Sequence, residues 1–197
     1  MEKKELRKMF ASRVAGMSFE EKKSESERIS RMICESDGYA SSDIVLSYMA
    51  MDSELDVRAV NESALRDGKS LFLPRTEKSG SAMDFYFISP DREMDVQLER
   101  GRWGILEPSE SCPKLDCGMT AGKKILAIIP GVGFSVDGKR LGHGMGFYDI
   151  YIEKLVSMAK ENSSELILMG AAFPCQIDSA VDSVSLAHDA VMDVLVY

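Results

Sequence analysis

Histidine, tryptophan and paired cysteines are scarce in this 197-residue chain, and each scarcity removes a class of function. There are two histidines, His143 and His188, and one tryptophan, Trp103. The four cysteines, Cys34, Cys112, Cys117 and Cys175, show no Cys-x-x-Cys spacing. A zinc site fails on that inventory, and the spacing is that of free thiols in a reducing compartment. Long apolar runs are missing too. The longest, Leu166 to Phe173, falls far short of the ~20 residues that cross a bilayer. The basic start Met-Glu-Lys-Lys runs into amphipathic sequence instead of an apolar signal core. The chain is therefore expected to be cytoplasmic, with no membrane partner. Positive charge is in deficit: 24 Lys and Arg against 32 Asp and Glu give a net charge of −8. That argues against a nucleic-acid partner, because a phosphate backbone needs a basic face. A local basic pocket for a small anion stays open.

What is present is ordinary globular composition, 45% hydrophobic and 28% charged, expected to fold as one domain over residues 1–197. Leu6, Phe10, Val14 and Met17 recur at helical spacing. Ser18 and Glu21 then form a capping-box pattern ahead of a second helix, expected to bury Ile29, Met32 and Ile33 and to stop near Asp37-Gly38. Ile44 to Tyr48 reads as a strand, Val57 to Leu65 as a helix, and Leu71 to Leu73 and Met83 to Ile88 as strands. Ile125 to Ile129 is a continuous apolar run, as in a strand covered on both faces. A glycine-rich loop follows, then a helix from Phe147 to about Lys160 and a buried strand from Glu165 to Phe173. Val191, Val194 and Val196 mark a last strand, and Ser109 to Gly122 an aperiodic surface loop. Strands alternating with helices predict an α/β three-layer sandwich: a largely parallel sheet with helices on both faces. Ligands in such folds collect beyond the carboxyl ends of the strands, which is where the loop after Ile129 lies.

Two familiar phosphate motifs fail there. Gly133-Phe-Ser-Val-Asp-Gly138-Lys139 matches the start of a Walker loop, but Arg140 stands where Ser or Thr must hold magnesium. The dinucleotide pattern is absent because Gly142, Gly144 and Gly146 are spaced by two. Alternating glycines do let backbone N–H groups converge on an anion, with the N-terminus of the following helix aimed the same way. Arg140 adds a planar donor fork suited to phosphate, and Asp149 a hard oxygen ligand for Mg²⁺. A plain tight turn between strand and helix is the competing reading.

Several segments together resemble the 5-formyltetrahydrofolate cyclo-ligase family. They are Pro130-Gly-Val-Gly-Phe134, Asp137-Gly138 and Arg140-Leu-Gly-His-Gly-Met-Gly-Phe-Tyr-Asp149. Lys3 to Arg7, Tyr48 to Glu54, Leu73-Pro-Arg75, Trp103-Gly-Ile-Leu-Glu-Pro108 and His188 to Asp193 follow the family's order. The resemblance implies an enzyme that closes 5-formyltetrahydrofolate to 5,10-methenyltetrahydrofolate while ATP goes to ADP and phosphate, acting as a monomer. It implies that Lys3, Arg7, Arg140, Gly142, Gly144, Gly146, Phe147 and Tyr148 contact ATP, with Arg140 and Tyr148 catalytic. Met49, Glu54, Trp103, His143, Met145 and Phe147 would contact the folate, and Asp149 and Asp189 would hold Mg²⁺. Three residues depart from the family pattern. His143 stands where Arg or Tyr is common, Met145 replaces Gly or Lys, and Phe147 lacks the hydroxyl of a frequent Tyr. A non-catalytic folate- or nucleotide-binding paralogue is the alternative. A sugar-phosphate or CoA-handling enzyme on a similar scaffold would not require ATP.

Overall fold

A computed structural model describes residues 2–77, 82–101, 104–185 and 189–197 of the chain. Helix α1 (Lys3–Ala15) turns Leu6, Phe10 and Val14 inward, as their spacing requires. Helix α2 (Phe19–Cys34) starts at the expected capping box: the Ser18 hydroxyl accepts from the Glu21 N–H at 3.1 Å, and Glu21 accepts from the Ser18 N–H at 2.7 Å. Its buried stripe is Ser26, Ile29, Ser30 and Ile33, so Met32, expected inside, lies off the stripe and is exposed. Asp37-Gly38 does not end a helix. Ser36 instead accepts from the Tyr39 N–H and caps a short helix, α3 (Asp37–Ser41).

Strand β1 (Ile44–Leu46) leads to α4 (Arg58–Arg66), β2 (Ser70–Thr76) and β3 (Met83–Ile88). β2 runs through Pro74 because β1 pairs with it only as far as Phe72, so no ladder bond on that side is lost. A small hairpin, β4 (Leu98–Arg100) and β5 (Leu106–Pro108), escaped the periodicity because each strand has three residues. The segment 109–122, expected to be all loop, contains the single-turn helix α5 (Cys117–Thr120), capped by Asp116. Strand β6 (Lys124–Ile129) is followed by a second hairpin, β7 (Gly133–Phe134) and β8 (Arg140–Leu141). Arg140 therefore belongs to a strand and not to the loop. Helix α6 (Phe147–Glu161), strand β9 (Glu165–Ala171) and strand β10 (Val194–Val196) complete the chain. Val191 lies outside β10 and is exposed.

The main sheet runs β10-β9-β6-β1-β2-β3, parallel except for the edge strand β3. One face packs Ile29, Ile33, Val60 and Ala64 of α2 and α4 against Val45, Leu71 and Leu126. The other packs Tyr151, Ile152 and Leu155 of α6 against Ile44, Phe72 and Ile125. The expected three-layer architecture is thus observed. From β1 the chain builds outward to β2 and β3, and from β6 it builds the opposite way to β9 and β10. The crevice between the carboxyl ends of β1 and β6 is the switch point where such sheets take ligands. Among the described residues no helix is long and apolar enough to cross a membrane.

Candidate active site

That crevice opens into a cavity of about 330 Å³. Tyr48 follows β1, Pro74 and Thr76 end β2, Pro130 follows β6, and Ile105 and Leu106 reach over from the β4–β5 hairpin. The glycine loop, residues 142–146, forms the facing wall, with Phe147, Tyr148 and Asp149 from the first turn of α6. A second, smaller recess of about 160 Å³ lies on the other side of the same loop, lined by Lys3, Arg7, Arg140, Asp149 and Asp189 among others. One recess is walled mostly by carbon and the other by charge. Arg140 and Asp149 line both.

The loop owes its alternating glycines partly to two guanidinium groups. A Cβ at Gly142 would come within 2.9 Å of the Arg140 side chain, and one at Gly144 within 3.2 Å of that of Arg7. Gly144 has φ +101° and Gly146, the residue before α6, φ +75°, conformations that cost other residues strain. Helix α6 then starts with no side-chain cap, leaving its first N–H groups and its positive end facing the site.

Arg140 is 6% exposed. Its Nη2 donates to Asp149 Oδ1 at 2.5 Å and its Nη1 to the Pro130 carbonyl at 3.2 Å, while its Nε has no partner among the described residues. The guanidinium lies 5.7 Å from the centre of the Tyr148 ring. Burial, and after it the negative charge of Glu54, push the Tyr148 phenol far above its ordinary pKa, with Arg140 opposing weakly. Tyr148 is therefore a neutral hydrogen-bond donor at any working pH, and not a base.

Glu54 is a buried carboxylate in the cavity wall. Its Oε2 accepts from the Met51 N–H at 3.0 Å and its Oε1 lies 3.1 Å from His143 Nε2. Tyr48, buried beside it, donates its hydroxyl to the Leu55 carbonyl and shapes the turn that aims Glu54 inward. On the charged side, Lys3 Nζ lies 3.0 Å from Asp189 Oδ2, and Arg7 Nε donates to the Gly142 carbonyl at 2.8 Å. The helical spacing of Lys3 and Arg7 does put both on the recess.

The structure thus brings together Lys3, Arg7, Met49, Glu54, Arg140, Gly142, His143, Gly144, Met145, Gly146, Phe147, Tyr148, Asp149 and Asp189. Trp103 lies outside the described residues. His143, expected with Glu54 on the folate side, lines the apolar cavity and turns to Glu54 there. Glu107 was missed, although it belongs to a segment that carried the family resemblance. It is buried in the cavity wall and accepts from the Thr76 hydroxyl at 2.8 Å. Arg75, from another such segment, stays out of the cavity. It pins the hairpin through Glu99 and the Pro108 carbonyl, each at 2.6 Å.

A doubly covered parallel sheet with an apolar cavity and a cationic recess at its switch point defines an α/β enzyme that handles an organic ligand beside an anionic one. Comparison with known proteins narrows the class. The model of the 5-formyltetrahydrofolate cyclo-ligase family matches residues 1–197, and the chain belongs to that family. It is 27% identical over 197 residues to the 5-formyltetrahydrofolate cyclo-ligase of Mus musculus, covering 99% of this chain and 93% of that one. A solved 5,10-methenyltetrahydrofolate synthetase from Aquifex aeolicus superposes with a TM-score of 0.70 at 28% identity, covering 100% of this chain and 89% of that one. One from Mycoplasma pneumoniae gives the same TM-score at 18% identity, covering 100% and 98%, and supports the fold.

Proposed function

We propose that this enzyme closes 5-formyltetrahydrofolate to 5,10-methenyltetrahydrofolate, with ATP giving ADP and phosphate. The observation that carries the reading is the pair of adjoining recesses sharing Arg140 and Asp149. The reaction must bring a largely apolar folate and a highly charged triphosphate to one junction. A formamide carbon is a poor electrophile, so its oxygen first attacks the terminal phosphorus and ADP leaves. N10 of the folate then attacks the activated carbon and gives up its proton. Phosphate departs with the former formyl oxygen, and the imidazoline ring is closed.

The residues suit those steps. Glu54, fixed by the Met51 N–H and by His143, is a ready acceptor for the amino and ring N–H groups of a pterin. Met49, Met145 and Phe147 supply adaptable and aromatic wall to the same cavity. Lys3, Arg7, the loop backbone and the start of α6 take the phosphates. Arg140 at the junction offsets charge on the oxygens being transferred, and the neutral Tyr148 hydroxyl donates a hydrogen bond there.

Asp149 and Asp189 reach the charged recess together, each already paired with a cation. Two carboxylates beside phosphate oxygens fit a magnesium ion, which would neutralise phosphate charge when bound. With such a ligand Asp149 and Asp189 would hold the magnesium ion, and Lys3 and Arg140 would offset phosphate charge.

Purified protein mixed with 5-formyltetrahydrofolate is expected to develop the near-ultraviolet absorbance of the methenyl product only when both ATP and Mg²⁺ are added. No absorbance change, with both ligands shown to bind, would reject the reading in favour of a non-catalytic paralogue. Product formed without ATP would point to other chemistry on this scaffold.

A further inference from the structure

The loop between the two recesses has almost no side chains with which to hold itself. Between Gly142 and Gly146 it carries only His143 and Met145, and Met145 is exposed. Among the described residues, two hydrogen bonds from elsewhere in the chain reach residues 142–145. Arg7 Nε donates to the Gly142 carbonyl on the charged side, and His143 Nε2 meets Glu54 Oε1 on the apolar side. Because the acceptor is a carboxylate, His143 Nε2 carries the proton of that bond.

The two tethers are not equivalent to ordinary loop anchors, because each ends on a group that lines one of the recesses. Arg7 spends Nε on the loop, and among the described residues its Nη1 and Nη2 have no hydrogen-bond partner, in a recess lined by Lys3 and Arg140 as well. A phosphate can therefore take the outer edge of the guanidinium without displacing the Gly142 carbonyl. Fixing Arg7 in this way fixes Gly142, and with it the backbone that positions His143 one residue later. His143 in turn sets the orientation of Glu54, whose other oxygen is already held by the Met51 N–H.

We infer that Arg7 and His143 are positioning residues that couple the two substrates through the 142–146 loop. Nucleotide phosphate on Arg7 stiffens the loop, the loop holds His143 against Glu54, and Glu54 is thereby prepared for the folate. The ordering cost of the loop is met once and shared by both ligands, which is positive cooperativity without a large structural change. Coupling of this kind is reciprocal: the factor by which nucleotide tightens folate is the factor by which folate tightens nucleotide. This inference rests on the functional reading above.

The test uses binding without turnover. Isothermal titration of the whole protein with 5-formyltetrahydrofolate is run with and without saturating Mg²⁺ and the non-hydrolysable β,γ-imido analogue of ATP. In the native protein the analogue is expected to tighten folate binding about tenfold, within the usual range for coupled sites. In His143→Ala that ratio falls to about one, while His143→Gln, whose amide N–H reaches a similar distance, recovers most of it. Arg7→Lys keeps the charge but has no second edge to hold the loop, and it too brings the ratio to about one. A residue with only a packing role would weaken folate binding overall and leave the ratio intact. A native ratio of one, or His143→Ala with the full native ratio, overturns the inference. If folate or the analogue fails to bind the native protein at all, the functional reading falls and takes the coupling with it. If both bind with the expected ratio but no methenyl product forms, the coupling stands and only the proposed reaction fails.

Discussion

The two recesses on either side of the glycine loop are built in opposite ways. The apolar cavity is assembled from the carboxyl ends of β1, β2 and β6 and from the β4–β5 hairpin, with Glu54 and Glu107 as buried carboxylates in its wall. The charged recess is assembled from the two ends of the chain, Lys3 and Arg7 on α1 and Asp189 near β10, each seated by side-chain bonds. Shape made by the carboxyl ends of interior strands is rigid, because moving them would disturb the core ladder. Charge carried in ion pairs partly open to solvent is adjustable, and such pairs can be exchanged for a ligand's own charges at small cost. A rigid apolar cavity beside an exchangeable charged recess suits one neutral ring system and one polyanion. Arg140, buried in a strand pair yet lining both, is where the two meet.

The sharpest way to break this comparison is to remove the shared residue. Arg140→Ala is expected to lower the rate of methenyl formation by about a thousandfold, as for loss of a donor at a charge-developing site. It also strips the part-exposed Asp149 of its cation and removes packing at a buried position, so the fold is expected to lose some stability. Chemical denaturation of the variant separates the two effects. Activity that persists in a folded Arg140→Ala protein removes Arg140 from the chemistry.

Glu54→Gln tests the rigid side. Losing a charged acceptor is expected to raise the folate KM by about thirtyfold, with the nucleotide KM rising by no more than the roughly tenfold coupling factor. Equal damage to both constants would mean that the carboxylate holds the fold together and does not select the folate. Lys3→Ala tests the exchangeable side. The nucleotide KM should rise about fivefold at low salt, with a smaller ratio at high salt, because the pair with Asp189 is partly open to solvent. A salt-independent ratio would contradict an exchangeable recess.

The smallest effect is expected away from both recesses. Asp84 on β3 ties the edge strand to Lys154 of α6 and to Lys114. Burial alone would raise its pKa, but the two lysines outweigh burial and hold it below the ordinary value. A depressed carboxylate stabilises the fold above its unfolded value near pH 4, and that contribution is lost as pH falls through the folded value. Asp84→Asn should therefore cost about 1 kcal/mol at neutral pH, with native and variant stabilities converging as the pH drops below about 4. Equal losses at pH 7 and pH 2.5 would show that the charge is not the cause.

Local pattern was enough to locate most elements. Capping at Ser18, the buried stripe of α1, the apolar run of β6 and the start of α6 at Phe147 all follow from neighbours a few residues apart. Where short range failed, it failed for a physical reason. Met32 is apolar but one step off the buried stripe, and strands of two or three residues have no period to read.

The candidate site divides along the same line. Its residue types were legible in the chain: a glycine loop with Arg140 at one end and Asp149 at the other, Lys3 four before Arg7, and Glu54 after Tyr48. The sequence by itself determined the α/β class, the family and which residues carry the charges and donors. Only the tertiary structure decided their partners. His143 faces Glu54 across 89 positions, Arg7 holds Gly142 across 135, and Lys3 meets Asp189 across 186. Such pairs are set by the order of strands in the sheet and by the switch between β1 and β6 in the side to which later strands are added. Periodicity reports what lies within a turn or a strand, whereas these contacts depend on how the whole core packs.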